Sequence, residues 1–166
     1  MDNSLADSIL SVCKALDKHA VQYLIVGGTA VALHGYFRMS ETHSGLPVEK
    51  HDLDFWYNPT YHNYFRLLNA LEEFGQDVSE FKEELTPTPR KSFFKFEFEN
   101  FTLDFLPELK GLKNFRLSYN EREIVRLNEI EILYISFDDL IRDKEINARP
   151  KDLNDIAELN LRRKKK

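Results

Sequence analysis

The sequence predicts an α+β fold in which a mixed β-sheet is flanked by helices. Three observations carry that prediction. Helix signals open and close the chain, an apolar run near residues 21–26 and a second strand signal at 52–57 each lead into a further helix signal, and the centre alternates polar and apolar residues at a period of two. With 166 residues and 19.6 kDa, a single domain over 1–166 with a real core is expected. Hydrophobic residues at 42% and aromatics at 13% exclude a disordered chain.

Residues 4–18 place Leu5, Ile9, Val12 and Leu16 on one helical face, with Ser4 as N-cap and Asp7 three residues on. Cys13 lies in that stripe and reads as a buried structural thiol. As the only cysteine it excludes an internal disulfide framework and fits a reducing, cytoplasmic setting. Val21 to Val26 reads as a buried strand, and Gly27-Gly28 turns it into a small-residue helix from about Thr29 to Tyr36. Residues 38–51, RMSETHSGLPVEKH, are polar with Gly45 and Pro47, which predicts a loop. Asp52 to Tyr57 is the second strand. Asn58-Pro59 then starts a helix with Tyr61, Phe65, Leu68 and Leu71 as its stripe and Gly75 at its end.

Residues 76–91 read as a charged connector broken by Pro87 and Pro89. FFKFEFENFTLDFL, 93–106, alternates about Glu99-Asn100 and predicts a hairpin. In that register Phe98 faces Phe101, Glu97 faces Thr102 and Lys95 faces Asp104, with Phe94, Phe96 and Phe98 as core. FRLSY (115–119) reads as another strand and 123–135 as a second hairpin. Ser136 caps a helix over 137–147 with Asp139 at the box position, and Pro150 opens a last helix to about Leu161.

Net charge of −5 excludes a broad basic coat for nucleic acid. The acidic start MDNSLADS and the lack of a long apolar run predict neither a targeting peptide nor a membrane span. The final LRRKKK holds a basic tail over 162–166, either a solvated terminus or a local contact with RNA or an acidic partner.

The informative residues are acids. In DLDFW, alternation puts Asp52, Asp54 and Trp56 on one strand face and Leu53 and Phe55 on the other. Two neighbouring carboxylates repel, so one keeps its proton unless a cation lies between them. Mg²⁺ is such a cation, preferring oxygen ligands and one or two carboxylates together with substrate phosphate. A pair of strand-end acids facing water is the competing reading. Asp104 also has two readings. It is a cross-strand partner of Lys95, worth a few tenths of a kcal/mol, or a third carboxylate that takes a proton from an attacking hydroxyl.

A strand entering a helix through Gly27-Gly28 leaves backbone N–H groups with no side chain in front of them, which suits a phosphate, and Thr29 adds a cap or a hydroxyl. The pattern is neither Walker A nor G-x-G-x-x-G. His43, His51 and His62 lie loosely around Asp52 in sequence. Without His-Glu-x-x-His spacing or a cysteine partner they make a weak zinc site. His34 reads as a helix-end or core histidine, and Arg38 as solvated or a phosphate guide.

Strand, Gly-Gly, helix, Asp-x-Asp on the next strand and a lone Asp on a later one together resemble the nucleotidyltransferase superfamily of the DNA polymerase β type. VGGTAVALHGYFR with DLDFW is similar to the small prokaryotic nucleotidyltransferases, among them AbiEii-type abortive-infection toxins. KEINARPKDLNDIAEL, 144–159, resembles their lysine and Arg-x-Lys-Asp segment. The resemblance implies a nucleotidyltransferase-like sheet and Mg²⁺-dependent transfer of an NMP group from an NTP to a hydroxyl on RNA, protein or a small molecule.

It further implies that Gly27, Gly28 and Thr29 cradle the triphosphate and that Asp52 and Asp54 ligate two Mg²⁺, for which Mn²⁺ can substitute. Asp104 becomes the third acid, and Lys144, Arg149 and Lys151 become contacts to nucleotide phosphates, although Lys144 beside Asp143 and Glu145 equally reads as a surface lysine. A toxin–antitoxin or abortive-infection role with an antitoxin partner is implied, and no membrane. A catalytically inactive nucleotide-binding or partner protein of the same fold is the alternative. Twenty-three residues separate Gly28 from Asp52, more than family members usually have, so 39–51 reads as an inserted active-site loop.

Overall fold

A computed structural model describes residues 3–35 and 50–164. Tyr36, Arg38, His43, residues 39–49 of the expected inserted loop, the Ser4 side chain and residues 165–166 lie outside the described residues. The apolar run after the first helix becomes β1 (Tyr23–Val26), buried at every position as a central strand packed on both faces is. It pairs antiparallel with β2 (His51–Tyr57), Val26 opposite Asp54. On its other side it runs parallel to β6 (Ile130–Tyr134).

The expected hairpin is β3 (Phe94–Glu97) and β4 (Phe101–Leu106), with Lys95 opposite Asp104 and Glu97 opposite Thr102 as the alternation requires. Strand β4 runs parallel to β2, and β5 (Glu123–Leu127) pairs with β6 through Asn128 and Glu129, both at positive φ as a two-residue hairpin turn demands. The six-stranded sheet has the order β3-β4-β2-β1-β6-β5.

Helix α1 (Asn3–Lys18) buries Leu5, Ile9, Val12, Cys13 and Leu16, so the predicted stripe and buried thiol are found there. The glycine pair does not precede the second helix; it forms its first turn, in α2 (Gly27–Leu33). His34 follows it, and its Nε2 donates to the Ile135 carbonyl at 2.8 Å, the helix-end role expected of it. Helix α3 (Tyr61–Glu73) is capped by Thr60, whose hydroxyl accepts from the Asn63 N–H. Its buried face is Tyr64, Leu67, Leu68 and Leu71. Tyr61 and Phe65, assigned above to the stripe, are exposed. The helix starts later than Pro59 and Asn63 is drawn inward to bond Gln22 and Asn58, which rotates the apolar face by about one position.

The connector 76–91 contains a short helix α4 (Ser79–Lys82) and a 3₁₀ turn (Pro89–Lys91). FRLSY is not a strand. It lies in α5 (Phe115–Asn120), because the Asn114 side chain accepts from the Leu117 N–H and the buried residues are Phe115 and Ser118, three apart. Ser136 caps α6 (Phe137–Asn147) as predicted, and α7 (Pro150–Lys164) runs three residues beyond the expected end. The core is centred on Phe55 and Phe105, neighbours on β2 and β4 whose rings stack at 5.1 Å, and on Tyr23 across β1. Each such fully buried side chain stabilises the fold by about 1.5–3 kcal/mol. No described helix is long and apolar enough to cross a membrane.

Candidate active site

Parallel pairing of β2 with β4 places Asp54 beside Asp104 and Asp52 beside Thr102. That contact could not be foreseen from either strand alone. The carboxyls of Asp54 and Asp104 are close enough to share a hydrogen bond when one is protonated, which raises Asp54 and lowers Asp104. Burial, followed by the charges of Asp104 and Asp52, pushes Asp54 up to about 7, against a smaller opposing pull from Lys151. Asp104 is raised too, again by burial first, although Lys95 and the Asp54 hydrogen bond pull it down. Lys95 stands opposite Asp104 but forms no ion pair with it among the described residues.

The backbone explains why Asp54 is held so tightly. Gly27 sits at φ +66°, and a Cβ there would lie 2.5 Å from Asp54 Oδ2. Glycine is therefore required twice, for the conformation and for the space. Thr29, buried in α2, donates its hydroxyl to the main-chain oxygen of Asp52 at 2.9 Å. The Asp52 side chain is exposed, and its Oδ1 accepts from Thr102 Oγ1 at 2.6 Å. Nothing in the sequence marks this role of Thr102, because the bond crosses strands that are fifty residues apart.

A cleft of 120 Å³ opens in front of these groups. Gly27, Gly28, Thr29, Asp52, Asp54, Lys144, Arg149 and Lys151 all line it, together with His51, one of the three histidines near Asp52 in sequence, and Leu5, which the sequence did not suggest. Only Asp104, of the predicted site residues, stands behind the lining. Lys144 is not a surface lysine: it is buried, 3.3 Å from Asp152 Oδ1 and 3.1 Å from Asp155 Oδ2. Arg149 is half exposed and doubly bonded to Asp152, Nε to Oδ2 at 2.6 Å and Nη2 to Oδ1 at 3.2 Å. Lys151 is exposed and makes no ion pair among the described residues. His62 is exposed and lies outside the cleft lining.

Among the described residues, no three His, Cys, Asp or Glu side chains are arranged as a ready metal shell. Asp52 is engaged with Thr102 instead, and Asp54 shares a proton with Asp104. The donor set nevertheless suits a hard divalent cation. Asp104 Oδ1 is buried with no hydrogen-bond partner, and burial together with the charges of Asp104 and Asp52 pushes Asp54 up to about 7 despite Lys151. Both conditions are relieved by a cation with oxygen preference.

The sequence matches no family model and no curated protein. Among solved structures, the fold is similar to an antigenic nucleotidyltransferase-like protein from Paracoccidioides brasiliensis, with a TM-score of 0.59, 14% identity, and coverage of 95% of this chain and 76% of that one. It is also similar to a candidate nucleotidyltransferase from Thermotoga maritima, with a TM-score of 0.50, 15% identity, and coverage of 99% and 94%. At these identities the likeness is one of fold: the chain has a nucleotidyltransferase-like mixed sheet flanked by helices.

Proposed function

We propose that the protein is a divalent-metal-dependent nucleotidyltransferase, moving an NMP group from an NTP to an acceptor hydroxyl. The observation that carries this reading is the cleft itself. It brings a side-chain-free glycine wall, two carboxylates and three cationic residues into one small space, backed by a third acid with an unpartnered oxygen. A volume of 120 Å³ is well below the roughly 300–1,000 Å³ of a drug-sized ligand pocket, so the cleft has room for phosphate groups rather than a whole nucleotide.

Asp52, Asp54 and Asp104 would hold the metal, Mg²⁺ or Mn²⁺. When bound, it supplies neutralisation of charge on the transferring phosphate and on the entering and leaving oxygens. The remaining work falls to the chain. Gly27 and Gly28 leave the cleft wall open for phosphate to approach the backbone. Thr29 and Thr102 fix Asp52 through its main chain and its carboxylate respectively. Lys151 and Arg149 present positive charge at the mouth. Lys144, already matched by two carboxylates, lends less. Asp104, with one free oxygen and a raised pKa, accepts the proton of the acceptor hydroxyl. Catalysis of this kind is mostly positioning and electrostatics.

The segment 144–159 and its likeness to AbiEii-type toxins support a toxin–antitoxin setting with a protein antitoxin, and the single-domain reading of 1–166 with an inserted loop at 39–51 goes with it. Incubation with α-labelled NTPs, Mg²⁺ and fractionated cell extract tests the activity. Label should pass to an acceptor with the wild-type protein and not with Asp54→Asn. Transfer that survives Asp54→Asn, or none into any fraction, would contradict it.

A further inference from the structure

Trp56 follows Asp52 and Asp54 on the same face of β2, about 7 Å beyond Asp54 along the strand. Where that strand ends, a second and larger hollow opens, a groove of 760 Å³. Its floor is Trp56 and Phe115, whose rings meet edge to face at 5.2 Å, and the Trp56 indole N–H donates to the Pro107 carbonyl at 3.3 Å. Four cations line it: Arg90 from the 3₁₀ turn, Lys110 and Lys113 from the connection after β4, and Arg116 from α5.

Lys110, Lys113 and Arg116 lie three apart within residues 110–116, and the fold adds Arg90 from a distant turn. All are exposed. Some lysine and arginine side chains elsewhere on the surface meet acids, as in Lys82–Glu72 and Arg163–Asp138, and others such as Lys95 and Lys151 form no ion pair among the described residues. What marks these four is that they share one groove. None of these four side chains forms an ion pair or hydrogen bond among the described residues, and Glu108 is the one acid in the lining. In a chain of net charge −5, unpartnered positive charge concentrated at one groove is a local field of opposite sign to the whole, the arrangement that captures a polyanion.

We infer that this groove binds the phosphodiester backbone of a single-stranded nucleic acid. Guanidinium forks and ammonium groups are the usual phosphate partners, and the neutral Asn58, Thr60 and Asn114 at the same groove suit sugar and phosphate oxygens. The restricted extent of the basic surface favours a single strand over a duplex, whose charge runs along two rails. That a bound strand would run toward the acids, and so act as the acceptor, rests on the transferase reading. Binding itself does not, and it is measured without nucleotide or divalent ion.

The experiment is fluorescence anisotropy with a labelled single-stranded RNA of ~12 nucleotides, in EDTA, between about 50 and about 200 mM salt. The full chain should bind. The triple variant Lys110→Gln/Lys113→Gln/Arg116→Gln should bind at least about tenfold more weakly, with a log–log salt slope shallower by about 2. A triple Arg162→Gln/Arg163→Gln/Lys164→Gln variant of the basic tail should stay within about twofold of wild type on the same scale.

DNA of the same sequence bound equally reads the shared backbone, and RNA bound better adds the 2′-hydroxyl; either supports the inference. It is overturned if the full chain does not bind, or if the groove variant binds like wild type. It also fails if the tail variant alone abolishes binding, or if polyglutamate of equal charge displaces the RNA as well as unlabelled RNA does. Because the replaced side chains are exposed, thermal unfolding should be unchanged. If the triple does not fold, Arg90→Gln/Arg116→Gln gives the same comparison.

Discussion

Asp54 and Asp104 stand side by side on parallel strands, with their carboxyls interacting, and Gly27 on the adjoining turn leaves free the space that the Asp54 oxygen occupies. In a folded protein this arrangement is unfavourable without added positive charge, and its consequences can be measured.

The Asp54 carboxyl titrates near 7 when folded and near 3.9 when unfolded. The folded state therefore keeps a proton that the unfolded state gives up, so stability falls as pH rises from about 4 to about 7 and levels off above that. Asp54→Asn removes this penalty. The variant should be more stable than wild type by about 1–3 kcal/mol at pH 8, with the advantage gone near pH 4, read by thermal unfolding across pH. Saturating Mg²⁺ should raise the melting temperature of wild type at pH 8 and leave that of the variant nearly unchanged.

Gly27→Ala places a methyl group 2.5 Å from Asp54 Oδ2 at a φ of +66°. The backbone strain should cost about 1–3 kcal/mol in denaturant unfolding. Because the clash is relieved by moving the Asp54 side chain, label transfer should fall by about 100-fold, more than the loss of stability would explain.

Lys144→Met leaves Asp152 and Asp155 buried with their shared cation removed. Breaking a buried ion pair from one side costs about 3–5 kcal/mol, so urea unfolding should show a loss of that order. The Lys144→Met/Asp155→Asn double variant should recover part of it.

Label transfer should rise with pH between about 6 and about 8, since Asp54 and Asp104 are both held above their ordinary values and both act as bases or anions in the proposed site. A rate that instead falls over this range would mean that a protonated group is required, contradicting the role of these carboxylates as bases or anions.

Much of this site is written locally. The alternation of DLDFW and of the 93–106 hairpin fixes which residues share a face, and the Lys95–Asp104 register follows directly from it. The glycine pair announces a tight turn. What alternation cannot supply is which strands become neighbours, so the Asp54–Asp104 pairing, the Thr102 bond to Asp52 and the placement of His51 in the cleft emerge only in three dimensions. Lys144 misleads because acidic sequence neighbours suggest an exposed helix face, whereas its partners are eight and eleven residues further on, across the α6–α7 corner. FRLSY misleads because a single helical turn with residues 115 and 118 buried mimics alternation over so short a span. The basic groove is only partly visible in the sequence: Lys110, Lys113 and Arg116 recur every third residue, but nothing there joins them to Arg90 and Trp56.

The most direct test is a crystal soaked with Mn²⁺ and an NTP, examined for anomalous scattering. An anomalous peak in contact with the Asp54 carboxylate and within reach of Asp52 and Asp104, with triphosphate beside Gly27 and Gly28, is the predicted result. A fully soaked crystal with no peak there, and with the Asp54–Asp104 hydrogen bond still in place, would contradict it.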